Sequence, residues 1–225
     1  MQPAISATTP GPHPTARTSF RRKGERHRVD SGRICLLPRD EAGALVCAGY
    51  ARIYGADVRE HLMPCLLGIR DDDGQIAGVF GLRSDREPFY LEHYLPQPLS
   101  AAVTAIDRHP PQRGELIELG NLVGERPGVL RALVGALAPD LDRAGYRWLA
   151  CTATRELRNG LARAGADAHL LDPARPDTLP DGDATQWGTY YEHDPAVVLI
   201  SIRGTVENLM RRACVRDRRA GALRG

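Results

Sequence analysis

The sequence predicts a mixed α/β (α+β) fold: a mostly antiparallel sheet with a central β-α-β unit and helices on both faces. Three observations predict it. The apolar runs 65–70 and 76–83 are joined by Asp71-Asp72-Asp73-Gly74, and an Asp-Gly step between such runs is a hairpin signal. The nearly continuous apolar run 116–123 leads through a glycine-bearing loop to a helix with Leu130, Leu133, Val134, Leu137 and Leu141 on one face. A second apolar run, 148–153, follows. Strand, helix and strand at this spacing make a right-handed crossover, and its buried strands need helical cover on both sides.

The other elements follow in order. The 225 residues suit one domain with tails. Residues 1–32, rich in Pro, Thr, Ser and Arg, are expected to be a disordered basic tail. The domain is expected over 33–203, and 204–225 as a basic C-terminal tail or loose helix. Asp40 is placed to cap a helix running to about Tyr54, with Leu45, Val46, Gly49 and Ile53 at helical spacing. The three aspartates read as a turn, because calcium loops alternate their ligands and end on a distant Glu. An aromatic strand is expected over 89–95, ended by Pro96 and Pro98, and a helix over 99–108. Pro127 suits the first turn of the central helix, Pro139 predicts a kink or early end, and Gly145 closes it. A helix over 155–163 ends at Gly165, 172–183 is a loop, and 187–191 and 197–202 read as the last strands.

Composition narrows the function. With a net charge of +2, no global bias points to nucleic acid, and none is expected as a partner. Both ends are arginine-rich, which reads as a solvated tail or as a contact for phosphate or anionic lipid. The five cysteines form no C-x-x-C pair, and the histidines show no ligand spacing, so no metal site is expected. Neither an N-terminal apolar segment nor a membrane-length run is present in the sequence, so no transmembrane segment and a cytoplasmic location are expected.

Several residues carry candidate chemistry. A strand entering a helix through a loop favours anions, because the first N–H groups of the helix are free and its dipole is positive there. In 122–131, Gly124 and Gly128 allow close backbone approach to a pyrophosphate, and Arg126 and Arg131 are placed to pair with it; an ordinary β–α turn with exposed arginines fits equally. Glu118 lies inside the apolar strand, where a carboxylate is costly unless paired. It reads either as a base with a raised pKa or as a salt-bridge partner of a sheet arginine such as Arg83. Strict alternation puts Glu118 and Gly120 on one face, and Ile117, Leu119 and Asn121 on the other. Asn121 reads as a partner for a pantetheine amide or as a turn cap. Glu92 reads as a site for a substrate ammonium group or as an edge-strand charge. Thr152 and Thr154 end the second central strand, where Thr binds ligand or caps a helix, and Asn159 sits one turn further on. Cys151 is too apolar in setting for a nucleophile. Trp187, Tyr190 and Tyr191 read as core or pocket-wall aromatics.

Short motifs recur in a familiar order: Tyr54-Gly55-Ala56, Gly81-Leu82-Arg83, Leu91-Glu92-His93-Tyr94-Leu95, Glu118-Leu119-Gly120-Asn121-Leu122, Cys151-Thr152-Ala153-Thr154 with Leu157-Arg158-Asn159, and Trp187-Gly188-Thr189-Tyr190-Tyr191. Together, over roughly 41–202, they resemble the thermostable hemolysin family. His93 stands where that family usually has Gln, and Pro96-Gln97-Pro98 replaces a more acidic stretch. The family pattern in turn resembles GNAT-type acyltransferases, particularly acyl-homoserine-lactone synthases, and implies a GNAT-like fold. The loop Gln/Arg-x-x-Gly-x-Gly/Ala usual in GNAT enzymes is absent, with 124–128 a loose substitute.

The resemblance implies an N-acyltransferase using acyl-CoA or an acyl carrier protein as co-substrate, with a small amine or amino acid as acceptor and no permanently bound cofactor. Glu118 and Asn121 are then the catalytic candidates. Leu122, Val123, Gly124, Arg126, Gly128, Arg131 and Asn159 face the donor, with the Leu122 and Val123 N–H groups on the thioester carbonyl. Arg83, Glu92, Tyr94, Thr152 and Thr154 shape the acceptor site. Two competing readings are a membrane-active protein, as the family's name implies, and an inactive GNAT-like binding module.

Overall fold

The computed structural model describes residues 18–22, 25–29, 33–109, 111–180 and 182–222. Strands β1 (Thr18–Arg22) and β2 (Glu25–Val29) pair antiparallel. They fall within the expected disordered tail, whose other residues lie outside those described. Seven more strands follow: β3 (Ile34–Leu36), β4 (Cys65–Arg70), β5 (Ile76–Arg83), β6 (Leu116–Gly124), β7 (Trp148–Ala153), β8 (Asp167–Pro173) and β9 (Ala196–Ser201). They form one sheet in the order β3-β4-β5-β6-β7-β9-β8. Only the β6–β7 pairing is parallel. The helices are α1 (Arg39–Tyr54), α2 (Leu99–Thr104), α3 (Val129–Arg143), α4 (Arg155–Ala164), α5 (Asp183–Gln186) and α6 (Ile202–Ala222). α6 covers most of the segment expected as a basic tail or loose helix.

The sheet separates two apolar cores. On one face, Phe80, Ile117 and Leu119 pack with Leu133, Leu137 and Leu141 of α3 and Leu161 of α4. On the other, Val46 and Tyr50 of α1 pack with Val79, Leu116 and Val123 and with Leu91, Trp187 and Tyr190. α3 passes through Pro139 to Arg143 instead of ending early. Pro139 removes one helical hydrogen bond, but Leu137, Ala138 and Leu141 on either side are anchored in the core. Phe80 is fully buried. Phe80→Ala is expected to cost about 3–5 kcal/mol, read as a lower urea midpoint at unchanged slope. A cost below about 1 kcal/mol would show that this ring does not anchor the core between the sheet and α3.

Two aromatic segments expected as strands are 3-10 helices, Tyr90–Tyr94 and Tyr190–His193, and the turn of α5 precedes the second. Three residues per turn bring Leu91 and Tyr94 to one side, which is what burying both in the core on that face requires. The edge strands β3 and β8 were not expected. In β8, Asp167, His169 and Asp172 are interspersed with Ala168, Leu170, Leu171 and Pro173, none of them buried, so it has no continuous buried apolar run.

A bulge in β6 positions everything that follows. Gly81 pairs with Gly120 and Val79 with Val123, so Phe80 faces two residues, Asn121 and Leu122. Asn121 has φ 49°, the left-handed region that Asn tolerates better than most residues. The extra residue breaks the expected alternation. Gly120 approaches Met63, and the Asn121 side chain bonds the Met63 main chain, so both lie on the Glu118 side. β6 pairs with β7 only from Leu116–Trp148 to Leu119–Cys151. Beyond that, β7 stays with β9 while β6 follows β5, and a gap opens between them.

Candidate active site

The gap holds a cleft of about 310 Å³. Leu119, Gly120, Asn121 and Leu122 line one side, Cys151 and Thr152 the other. The first turns of α3 (Val129, Leu130) and α4 (Glu156, Leu157) both reach it, as do Tyr50, Tyr54 and Tyr190. Two helix N-termini beside one cleft favour an anionic or strongly dipolar guest. Thr154 caps α4, its Oγ1 accepting the Leu157 N–H at 3.3 Å. α3 begins at Gly128, φ 87°, without a side-chain cap.

A second cavity of about 50 Å³ adjoins the cleft and shares Tyr50, Leu119, Gly120, Asn121, Thr152 and Tyr190 with it. Glu118 lies in its wall, 3% exposed. Glu118 Oε2 accepts from Arg83 Nη1 at 3.3 Å and from the Tyr90 N–H at 2.9 Å, and Oε1 accepts from the Leu91 N–H at 3.1 Å. Burial pushes this carboxyl above its ordinary value, against the opposing pull of the Arg83 charge and the two N–H donors. The raised pKa of one reading and the Arg83 pairing of the other therefore occur together in Glu118. Arg83 Nε and His61 Nε2 are buried in the same place without a hydrogen-bond partner. The His61 ring lies 5.4 Å from Tyr90 and 5.2 Å from Trp187.

The remaining expected residues divide. Leu122, Gly124 and Thr154 line the cleft, and Thr152 lines both cavities. Arg83 and Tyr94 line the second cavity, where Tyr94 Oη shares a 2.8 Å hydrogen bond with Tyr191 Oη. The Val123 side chain turns into the core, opposite Val79. Asn121 spends its side chain on the protein: Oδ1 accepts the Met63 N–H at 2.6 Å, and Nδ2 donates to the His61 carbonyl at 3.3 Å. It holds the segment that carries His61.

Glu92 does not reach either cavity. Its Oε1 accepts the Leu99 N–H at 2.9 Å at the start of α2, because the 3-10 turn rotates it away. Arg126 pairs with Asp71 at 2.6 Å, drawn to the β4–β5 turn. Gly128 and Arg131 border a separate outer groove, and Asn159 is exposed on α4. Burial pushes the Cys151 thiol up to about 12, with Glu118 adding to the shift, so it stays protonated and is a poor nucleophile. His61 was not anticipated. It sits in a short 3-10 turn, Arg59–His61, whose position depends on a bond to Asn121, sixty residues away. No local pattern announces it.

The profile of the thermostable hemolysin family matches residues 37–206. No curated protein matches the chain. Among solved structures, FeeM, an N-acyl amino acid synthase from uncultured soil microbes, aligns with a TM-score of 0.51 at 13% identity, covering 78% of this chain and 98% of that one. TofI, crystallised with an inhibitor and MTA, aligns at 0.44 and 19% identity, covering 74% and 87%. MesI, a CoA-dependent acyl-homoserine lactone synthase, aligns at 0.43 and 18%, covering 77% and 88%. The likeness to FeeM is one of fold, the GNAT-like fold that the motifs implied.

Proposed function

We propose that this chain, which belongs to the thermostable hemolysin family, is an N-acyltransferase that moves an acyl group from a thioester onto a small amine, an amino acid above all. One observation carries the reading. A cleft between diverging strands meets a small cavity that holds Glu118, Arg83 and His61 across Gly120, Asn121 and Thr152. A thioester in the cleft and an amine in the cavity would meet there, with the reacting atoms held close. The fold-mate FeeM is named as an N-acyl amino acid synthase, which agrees.

In this proposal the pantetheine arm, from acyl-CoA or an acyl carrier protein, threads the cleft past Leu122 and Gly124. The Leu122 N–H, at the bulge, holds the thioester carbonyl and stabilises the charge that grows on it. Three of the four acceptor positions on Glu118 are filled, and the fourth, on Oε1, receives an N–H of the acceptor. The unpartnered Arg83 Nε suits the acceptor's carboxylate. Among the described residues no helix is long and apolar enough to cross a membrane. A cytoplasmic setting is part of the proposal.

The test is thiol release. Purified protein is mixed with octanoyl- or palmitoyl-CoA, or with acylated carrier protein, and with single amino acids. Release that needs both donor and amine, with an N-acyl product in the mass spectrum, is the expected result. Silence with every donor would sink the acyltransferase reading.

A further inference from the structure

The acceptor cavity contains a group that the motifs do not explain. His61 Nε2 is buried there without a partner. A buried polar atom left unpaired costs about 1–3 kcal/mol, so a fold keeps one where a guest completes it. The segment around it is fixed from both sides: Asn121 takes the Met63 N–H at 2.6 Å and donates to the His61 carbonyl at 3.3 Å. Tyr90 and Trp187 pack against the ring. Glu118, by contrast, is committed. Protonating it would weaken its pairing with Arg83 and its bonds to two main-chain N–H groups.

We infer that His61 takes the proton from the acceptor amine as that amine attacks the thioester. The inference rests on the acyltransferase reading. A neutral imidazole offers one ring nitrogen with a free lone pair, and Nε2 is buried without a partner in a side chain that lines the cavity. The amine nitrogen forms its bond to the carbonyl carbon, and the carbon–sulfur bond breaks. The amine proton passes to Nε2, the sulfur leaves as thiolate, and the imidazolium returns the proton to it. Amide and thiol are the products, with no other reactant. Glu118 and Asn121 act beside it, one on the acceptor and one on the position of His61.

The experiment compares His61→Gln and His61→Ala with the parent, using octanoyl-CoA and the amino acid that the parent uses best. Both variants are expected to lose about 100-fold or more in kcat, with the KM for octanoyl-CoA unchanged. Free imidazole is expected to restore activity to the Ala variant, whose shortened side chain leaves room for it, and not to the Gln variant. A variant that melts like the parent and keeps its kcat overturns the inference, as does an Ala variant that melts like the parent and does not respond to imidazole. A parent that releases no thiol with any donor instead removes the acyltransferase reading beneath it.

Discussion

Glu118→Gln is expected to lower turnover by about tenfold or more, roughly 1.4 kcal/mol of transition-state stabilisation, in a protein that remains folded. Glutamine keeps the shape but loses the charge. Its amide NH2 must also face either the Leu91 N–H or both Arg83 Nη1 and the Tyr90 N–H. At least one hydrogen bond becomes a donor–donor clash, and the acceptor amine meets a neutral wall. Unchanged turnover would remove Glu118 from the mechanism. Glu118→Leu is a different experiment. It strands the Arg83 guanidinium, 13% exposed, and breaking a buried pair from one side costs about 3–5 kcal/mol.

The pH dependence of stability follows from the same carboxyl. Burial makes Glu118 harder to ionise in the folded chain than in the unfolded one. The stability linked to this group is therefore full below the ordinary carboxylate value and is lost as pH rises through the raised folded value. Urea midpoints of the parent minus those of Glu118→Gln should fall across that window and level off above it. Activity runs the other way, because the ionised form binds the amine. A flat difference would show that burial does not govern this group.

The second large effect is expected at Gly188, which lines neither cavity. Gly188 has φ 53°, and a Cβ there would lie 2.1 Å from the Tyr54 carbonyl oxygen. That oxygen already accepts the Thr189 N–H at 2.8 Å, and Asp57 N–H donates to the Gln186 carbonyl at 2.7 Å. The end of α1 and the 186–189 segment are thus clamped main chain to main chain, so neither yields easily. Gly188→Ala should cost about 2–4 kcal/mol through strain and overpacking together. It should also displace Trp187 and Tyr190, which line the acceptor cavity, so activity falls in whatever fraction stays folded. Gly74→Ala is the control: its φ is 77° but nothing lies within 4 Å of the added Cβ. It should show the left-handed strain alone, about 1 kcal/mol. Equal melting of the two variants would mean that the Tyr54 contact does not hold the segment.

The sequence was readable where one stretch of chain decides its own structure. The Asp71–Gly74 turn, the leucine face of α3, the apolar run of β6 and the Thr154 cap each rest on spacing within a few residues. From these came the β-α-β unit, and with it the strand end beside which the cleft opens. Glu118 stood out because a carboxylate inside an apolar strand must have partners, although which ones was open. Arg83 was named among them in advance. The Tyr90 and Leu91 N–H groups were not, since the segment that carries them read as a strand.

What the tertiary structure alone decided depends on partners distant in sequence. Alternation put Asn121 on the face opposite Glu118, and one extra residue against Phe80 reversed that. Glu92 and Arg126 read as ligands, but Leu99 and Asp71 claim them once the turns fold. His61 carries no signal of its own, because its place is set by a side chain sixty residues away. Periodicity and capping are short-range free energies that a sequence displays directly. A bulge, an ion pair or an orphaned nitrogen is fixed by which distant groups reach it first, and the strand order of the sheet settles that.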